Sequence, residues 1–405
     1  MIRRLFSGQI NSITIAALLV ALSSLVSRFL GIFRDRILAG QFGAGDTLDV
    51  YYAAFRVPDL IFNLLVLGAL SAGFIPIFTC LIKDPVCRLK SIFSSSPNRD
   101  AWLLANNLLN ILALSLIILS VIGVVLSPWL IKLISPGFTA DKQALTTALS
   151  RIMFISPVFL GISGIFGGIL QSFKRFFVYS LSPILYNIGI IIGALFFVPY
   201  LGVYGLAWGV VLGAFLHLTM QVPAVWRLGF RYQPIFDFRG DNIKKIFYMM
   251  VPRTLSLAIT QINFMVITVV ASTLASGSIA IFNLANNLQS FPIGIFGISF
   301  AVAAFPALAA QAFDREKLII NFSRIFRQIL FFIIPATVLL FTLRAQIIRV
   351  ILGTGEFNWE DTILSIDTLA YFAISLFARC PQSFLNCFIN CKILMIRGYF
   401  FYCNN

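Results

Sequence analysis

The residues most able to do chemistry sit where charge is least welcome. The stretch Ser23-Ser24-Leu25-Val26-Ser27-Arg28-Phe29-Leu30-Gly31-Ile32-Phe33-Arg34-Asp35-Arg36 continues an apolar run, and Arg28 lies about 15 residues into it, near the depth of a bilayer centre. Placing an arginine at the middle of a membrane helix costs about 2.5–3.5 kcal/mol, so one found there faces a protein interior or an aqueous cavity. Arg34 follows six positions later, about 240° around a helix. The two share no stripe, but both can border one wide cavity, and Ser24 and Ser27 fall near Arg28. A guanidinium forks onto two phosphate oxygens in a way an ammonium does not match. A pair of them at this depth points to a phosphate-bearing ligand. Arg36 suits instead the far interface, where a long side chain reaches the headgroups.

Further ionisable and polar residues follow. Asp49 opens the second apolar run, then come Arg56, Pro58 and Asp59. Arg56 and Asp59 are at i and i+3, a spacing that allows a local ion pair. Arg253 follows Pro252 early in a later run, either as an interfacial anchor or as a phosphate contact. Thr254, Gln261 and Asn263, then Asn283, Asn286, Asn287 and Gln289, make a polar stripe that either joins helices or lines a pathway. His217 is the single histidine and lies in an apolar run, where helix packing is the expected role. The cysteines at 80, 87, 380, 387, 391 and 403 match no zinc or redox spacing. There is no phosphate-binding glycine loop with a lysine, no metal cluster and no nucleophile–base pair. No cofactor and no enzymatic activity are expected, and no loop is long enough to be an ATP-hydrolysing domain.

These residues must be positioned by membrane helices. Of 405 residues, 59% are hydrophobic and only 11% charged, against about 25% charged in a soluble domain. The apolar residues fall in runs of roughly 18–25, enough to cross a hydrocarbon core. Backbone groups cannot go unpaired in lipid, so the runs must be helices. The expected fold is an all-α polytopic membrane protein with ten spans, near 12–36, 48–80, 102–134, 145–172, 177–198, 202–225, 245–274, 279–311, 322–350 and 362–379. The start reads as a retained first helix, with no cleavage site after its apolar run.

The net charge of +15 is not a nucleic-acid signal, because the basic residues cluster in particular loops. Lys83, Arg88, Lys90 and Arg99 follow the second span, Lys174 and Arg175 the fourth, Arg227, Arg231, Arg239, Lys244 and Lys245 the sixth, and Arg315 and Lys317 the eighth. The loops near Thr139, Leu201 and Ser276 carry almost none. Positive loops face the cytoplasm, which puts the N-terminus there too.

A weak internal repeat, offset by roughly 220–230 residues, is of the kind duplicated transporters show. Ile131 to Phe138 is echoed by Ile348 to Phe357, and Pro58 with Phe74-Ile75-Pro76 by Pro292 with Phe305-Pro306. It suggests a six-helix N-terminal lobe over 1–225 and an incomplete four-helix lobe over 226–379. The tail, 380–405, has no clear period; a shifted reading frame or early stop would produce it, and a short eleventh helix is the competing reading.

With these residues in place, the sequence resembles the MurJ (MviN) family of lipid II flippases, within the multidrug, oligosaccharidyl-lipid and polysaccharide exporters. The matching stretches are Ser27 to Asp35, Phe42-Gly43-Ala44-Gly45, Asp49, Phe55-Arg56-Val57-Pro58-Asp59-Leu60, Gly68 to Pro76, Ser135-Pro136-Gly137-Phe138, Phe291-Pro292 with Gly294, and Phe305-Pro306. Together they cover roughly residues 12–378. The resemblance implies two helical lobes around a central cavity in the bacterial cytoplasmic membrane. It implies export of the undecaprenyl-diphosphate-linked peptidoglycan precursor by alternating access, with membrane lipids and cell-wall synthesis proteins as further partners. It assigns the substrate's diphosphate to Arg28 and Arg34, and gating to Asp35 and Asp49. The chain departs from the pattern at Phe62, Asn63 and Leu67, where many members carry an arginine pair and a glutamate, and at Asn287, where many carry an arginine. Arg253 is then the candidate for the missing cation. The alternatives are a flippase for another polyprenyl-diphosphate glycan, a cation-coupled multidrug exporter, which should carry acidic rather than basic groups in its cavity, and a non-functional fragment or scaffold.

Overall fold

The computed structural model describes residues 13–68, 73–83, 99–298 and 315–380. The motif residues 69–72, Phe305-Pro306 and the tail from 381 lie outside them. All the described elements are helices: α1 (Ile13–Phe42), α2 (Asp46–Leu67), α3 (Ile75–Lys83), α4 (Arg99–Ile134), α5 (Ala140–Met153), α6 (Ser156–Ser172), α7 (Phe176–Leu201), α8 (Tyr204–Arg227), α9 (Asp241–Ser272), α10 (Ser278–Pro292), α11 (Arg315–Thr342), α12 (Arg344–Ile351) and α13 (Trp359–Cys380). Among the described residues eight helices are long and apolar enough to cross a membrane, α5 and α6 counting as one. The other two expected spans coincide with α1 and α10.

Proline and glycine shape these helices. Pro58, Pro128, Pro183, Pro223, Pro252, Pro292 and Pro335 all lie inside helical segments, each removing one backbone donor. Wider π-helical turns follow at Asn63–Leu67, Gly193–Phe197 and Ile293–Ile298, the kind of irregularity that membrane helices tolerate.

Two compact units result: one of residues 1–37 and 45–279, the other of 38–44 and 280–405. Compactness therefore groups α9 with the first unit, whereas the expected lobes, cut at 225/226, group it with the second. In the first unit α7 and α8 approach backbone to backbone. A Cβ at Gly193 would come 2.3 Å from the Cα of Gly209, and one at Gly189 2.3 Å from that of Gly213. Small residues four apart on both helices permit this contact, which replaces hydrophobic driving force with dispersion in lipid. Phe74, Phe78, Trp102, Phe166, Phe173 and Phe230 build an aromatic core beside it.

Three buried asparagines on α4 hold an extended strap between α8 and α9. The Asn106 amide donates to the Arg231 carbonyl (3.0 Å) and accepts from Gln233 N (2.9 Å). Asn107 does the same with Asp237, at 2.7 and 2.8 Å. Asn110 donates to the carbonyls of Gln233 (2.8 Å) and Ile235 (3.0 Å). Extended backbone outside a sheet needs partners for its polar groups, and these amides supply them. Asn107→Ala strands one donor and one acceptor, a cost of about 1–3 kcal/mol for each that stays dry. Proteolysis within 231–239 should accelerate and the unfolding temperature fall, whereas an exposed-face control such as Lys244→Ala should change neither.

In the second unit the end of α1 is tied to the loop before α13. Glu356 N donates to the Gly40 carbonyl (2.9 Å) and Ala44 N to Asp361 Oδ2 (3.0 Å). Gly43 and Gly355 both take left-handed φ, +60° and +61°, and a Cβ on Gly355 would come 2.1 Å from the Gly40 carbonyl oxygen.

Candidate functional site

Arg34 is the centre of a dense polar and charged network among the first unit's membrane helices. Its neighbour Asp35 is 4% exposed. Adjacent helical residues point apart, but the arginine side chain is long enough to fold back. Its Nε and Nη2 both donate to Asp35 Oδ1, at 3.0 and 2.8 Å. Its Nη1 donates to Asn187 Oδ1 of α7 at 3.1 Å. Asn187 in turn donates to the Ser27 carbonyl and hydroxyl, both at 3.3 Å, and to the Pro183 carbonyl at 3.1 Å. Ser27, Gly31 and Arg34 are at i, i+4 and i+7, one stripe of α1. A Cβ on Gly31 would already be 3.9 Å from the Asn187 oxygen, so the stripe is shaped to receive that amide.

The buried Tyr51 and Tyr52 of α2, with Tyr186 of α7, are the titratable neighbours of this pair. The Tyr52 hydroxyl is buried with no hydrogen-bond partner among the described residues. A guanidinium carries five N–H donors. Asp35 takes two of Arg34's and Asn187 one, so one N–H on each terminal nitrogen stays unpaired among the described residues. That is the pair that would fork onto two oxygens of a phosphate. The side chain keeps 19% of its surface exposed.

The remaining candidates go elsewhere. Arg28 is half-buried and stands one residue off the α7-facing stripe. Asp49, 3% exposed, accepts from Gly277 N at 2.7 Å, and Asp46 one turn earlier pairs with Lys142 of α5 and accepts from the Ser276 hydroxyl. Asp49 thus fixes the turn between α9 and α10 onto the start of α2. Asp49→Ala removes a charged acceptor of about 1.5–3 kcal/mol, and the expected result is a lower unfolding temperature with faster hydrogen exchange at 273–278.

Arg56 reaches across to α9 and also interacts with Asp59, one turn on along its own helix. Its Nε donates to Thr268 Oγ1 at 2.9 Å, with the guanidinium 5.3 Å from the Phe264 ring centroid. The physical reason is reach: α9 packs on this face of α2, as the Thr254 hydroxyl donating to the Leu64 carbonyl (3.1 Å) also shows. Arg253, beside Thr254, is half-buried and has no hydrogen-bond or ion-pair partner among the described residues. Asn287 lies in the second unit on α10, among a polar set that Arg379 of α13 joins. Arg379 Nη1 donates to Gln289 Oε1 (2.8 Å) and Asn286 Oδ1 (3.2 Å), and Gln289 donates to Ser375 Oγ at 2.6 Å.

Sequence reasoning missed Asn187 and Arg379. Asn187 is the sole carboxamide in the 26-residue span Phe176–Leu201, a signal available from composition. Arg379 sits where the last span gives way to the tail and reads as an end anchor. His217 bonds Ser163 Oγ through Nδ1 at 2.6 Å, joining α8 to α6. No group of three or more His, Cys, Asp or Glu side chains comes together among the described residues.

A family model described as lipid II flippase MurJ matches residues 38–387. The chain belongs to the MurJ family of lipid II flippases. The match begins downstream of Arg28, Arg34 and Asp35, so membership stands independently of the arginines in α1. Lipid II flippase MurJ of Burkholderia cenocepacia is 28% identical over 374 residues, covering 89% of this chain and 70% of that protein. A probable lipid II flippase MurJ of Buchnera aphidicola is 29% identical, covering 88% and 69%. A solved structure of lipid II flippase MurJ in an inward closed conformation superposes with a TM-score of 0.74 at 24% identity, covering 94% of this chain and 79% of that one. A solved structure of a multidrug resistance MATE family transporter of the MOP superfamily, in an inward-facing conformation, reaches 0.67 at 16% identity, covering 93% and 87%. These likenesses establish the all-helical membrane fold.

Proposed function

We propose that this chain carries lipid II, the undecaprenyl-diphosphate-linked peptidoglycan precursor, across the bacterial cytoplasmic membrane by alternating access. Family membership supports the substrate class, and the observation that carries the reading to residues is the Arg34 network. A guanidinium inside a membrane helix, braced by Asp35 and Asn187 with one N–H unpaired on each terminal nitrogen, is chemically matched to a diphosphate. Arg28 is the second diphosphate contact in this reading. Asp35 holds Arg34, and Asp49 holds the turn before α10, which closes or opens with the transport cycle. The activity is transport without covalent chemistry. The N-terminus is cytoplasmic, the lobes divide at 225/226, and Arg56, Arg253 and Asn287 are further substrate-binding residues.

The test is reconstitution. Proteoliposomes containing the purified chain should move lipid II between leaflets. Equal rates for lipid II and for polyprenyl diphosphates bearing unrelated glycans would replace the substrate with the wider class. Cysteine labelling from each side would place the N-terminus. The multidrug-exporter alternative gains nothing from the shared fold, because the charged centre of the first unit is built around a cation.

A further inference from the structure

We infer that Asn187 is the positioning residue for Arg34: it sets the guanidinium's orientation and leaves its charge available to the substrate's phosphates. This rests on the proposal that Arg34 contacts the diphosphate. An arginine side chain has many rotamers, and ordering it before the ligand arrives removes that entropy from the binding step. Asp35 alone cannot do this, since both hydrogen bonds that Arg34 makes to it converge on a single oxygen, Oδ1, and leave the group free to swing about that point. Asn187 supplies the second fixed point from another helix, at Nη1.

The amide is itself held. It is 8% exposed, and its donor side is committed to Ser27 and Pro183. Through it, Arg34 is registered against Ser27, two turns earlier on α1, with Gly31 leaving the room between them. The chemistry of the amide matters as well. A neutral oxygen accepts one N–H without cancelling positive charge, whereas a second carboxylate would oppose the phosphate. One acidic neighbour pairs Arg34; two would turn an anion contact into a saturated ion cluster.

The test measures lipid II affinity and flipping rate in proteoliposomes for Asn187→Ala and Asn187→Asp, each in the native background and with Arg34→Ala. Asn187→Ala should weaken lipid II binding about 10-fold, as expected for a lost orienting hydrogen bond, and should have no further effect once Arg34 is gone. Asn187→Asp keeps shape and acceptor but adds charge. Its carboxylate cannot replace the donor bonds to Ser27 and Pro183, so the unfolding temperature should fall as well, and binding should fall further than with alanine. Equal losses in both backgrounds would show that Asn187 merely packs α7 on α1 and would overturn the inference. So would native affinity in Asn187→Asp, the variant that tests the idea even if the alanine form does not fold. Native lipid II binding by Arg34→Ala itself would remove the functional reading along with this inference, whereas an impaired Arg34→Ala with indifferent Asn187 variants removes the inference alone.

Discussion

Arg34→Ala should lower lipid II flipping by about 100-fold or more, the equivalent of two charge-assisted hydrogen bonds of roughly 1.5–3 kcal/mol each. Arg34→Lys should recover only a small part, because an ammonium keeps the charge but loses the fork. The substitution has a second consequence that must be separated from the first. Asp35 is 4% exposed, and removing the cation it pairs with from a buried carboxylate costs up to about 3–5 kcal/mol. The double variant Arg34→Ala with Asp35→Asn should therefore regain thermal stability in detergent without regaining transport. Flipping restored together with stability would mean that the pair is structural and that the substrate is held elsewhere.

The second large effect is expected far from any charge. Gly193→Leu places a branched side chain where even a Cβ would stand 2.3 Å from the Gly209 Cα. The neighbour is backbone, so it cannot yield by rotating. The helices must separate by several ångströms, with overpacking and lost dispersion costing about 3 kcal/mol or more. Asn187 lies on the same helix, two turns earlier, and its 3.1 Å bond to Arg34 does not survive such a shift. Gly193→Leu should thus lose both stability and flipping, and Gly193→Ala should show a milder form of the same. Tyr200→Ala is the control: Tyr200 lies near the end of the same helix and is 88% exposed, so a change within about 0.5 kcal/mol is expected. A fully stable Gly193→Leu protein would refute the close packing of α7 on α8.

The two predictions meet at one residue, and that meeting was not legible in the sequence. Arg34 announces itself, since a charge in an apolar run demands an explanation. Asn187 does not, because one amide in a long apolar span has many possible uses. The same holds for Arg56. Its interaction with Asp59 can be read from their spacing, but its hydrogen bond to Thr268, 212 positions away, cannot. The asparagines at 106, 107 and 110 look like a polar helix end until the strap from 231 to 237 lies across them.

What the sequence determined by itself is the class, the helices and the family. Lipid offers no partner to backbone N–H and C=O groups, so each long apolar run has to close its own hydrogen bonds as a helix. That constraint is local and can be read residue by residue, and so can the 3.6-residue period that puts Ser27, Gly31 and Arg34 on one stripe. Only the tertiary structure decided what the stripe faces. A helix's period says which of its residues travel together but nothing about the partner they meet. That choice is made by shape over long separations, 153 positions in the case of Arg34 and Asn187, and by the glycines that let α7 and α8 close. The arginine belonged to the sequence; the amide that aims it belonged to the fold.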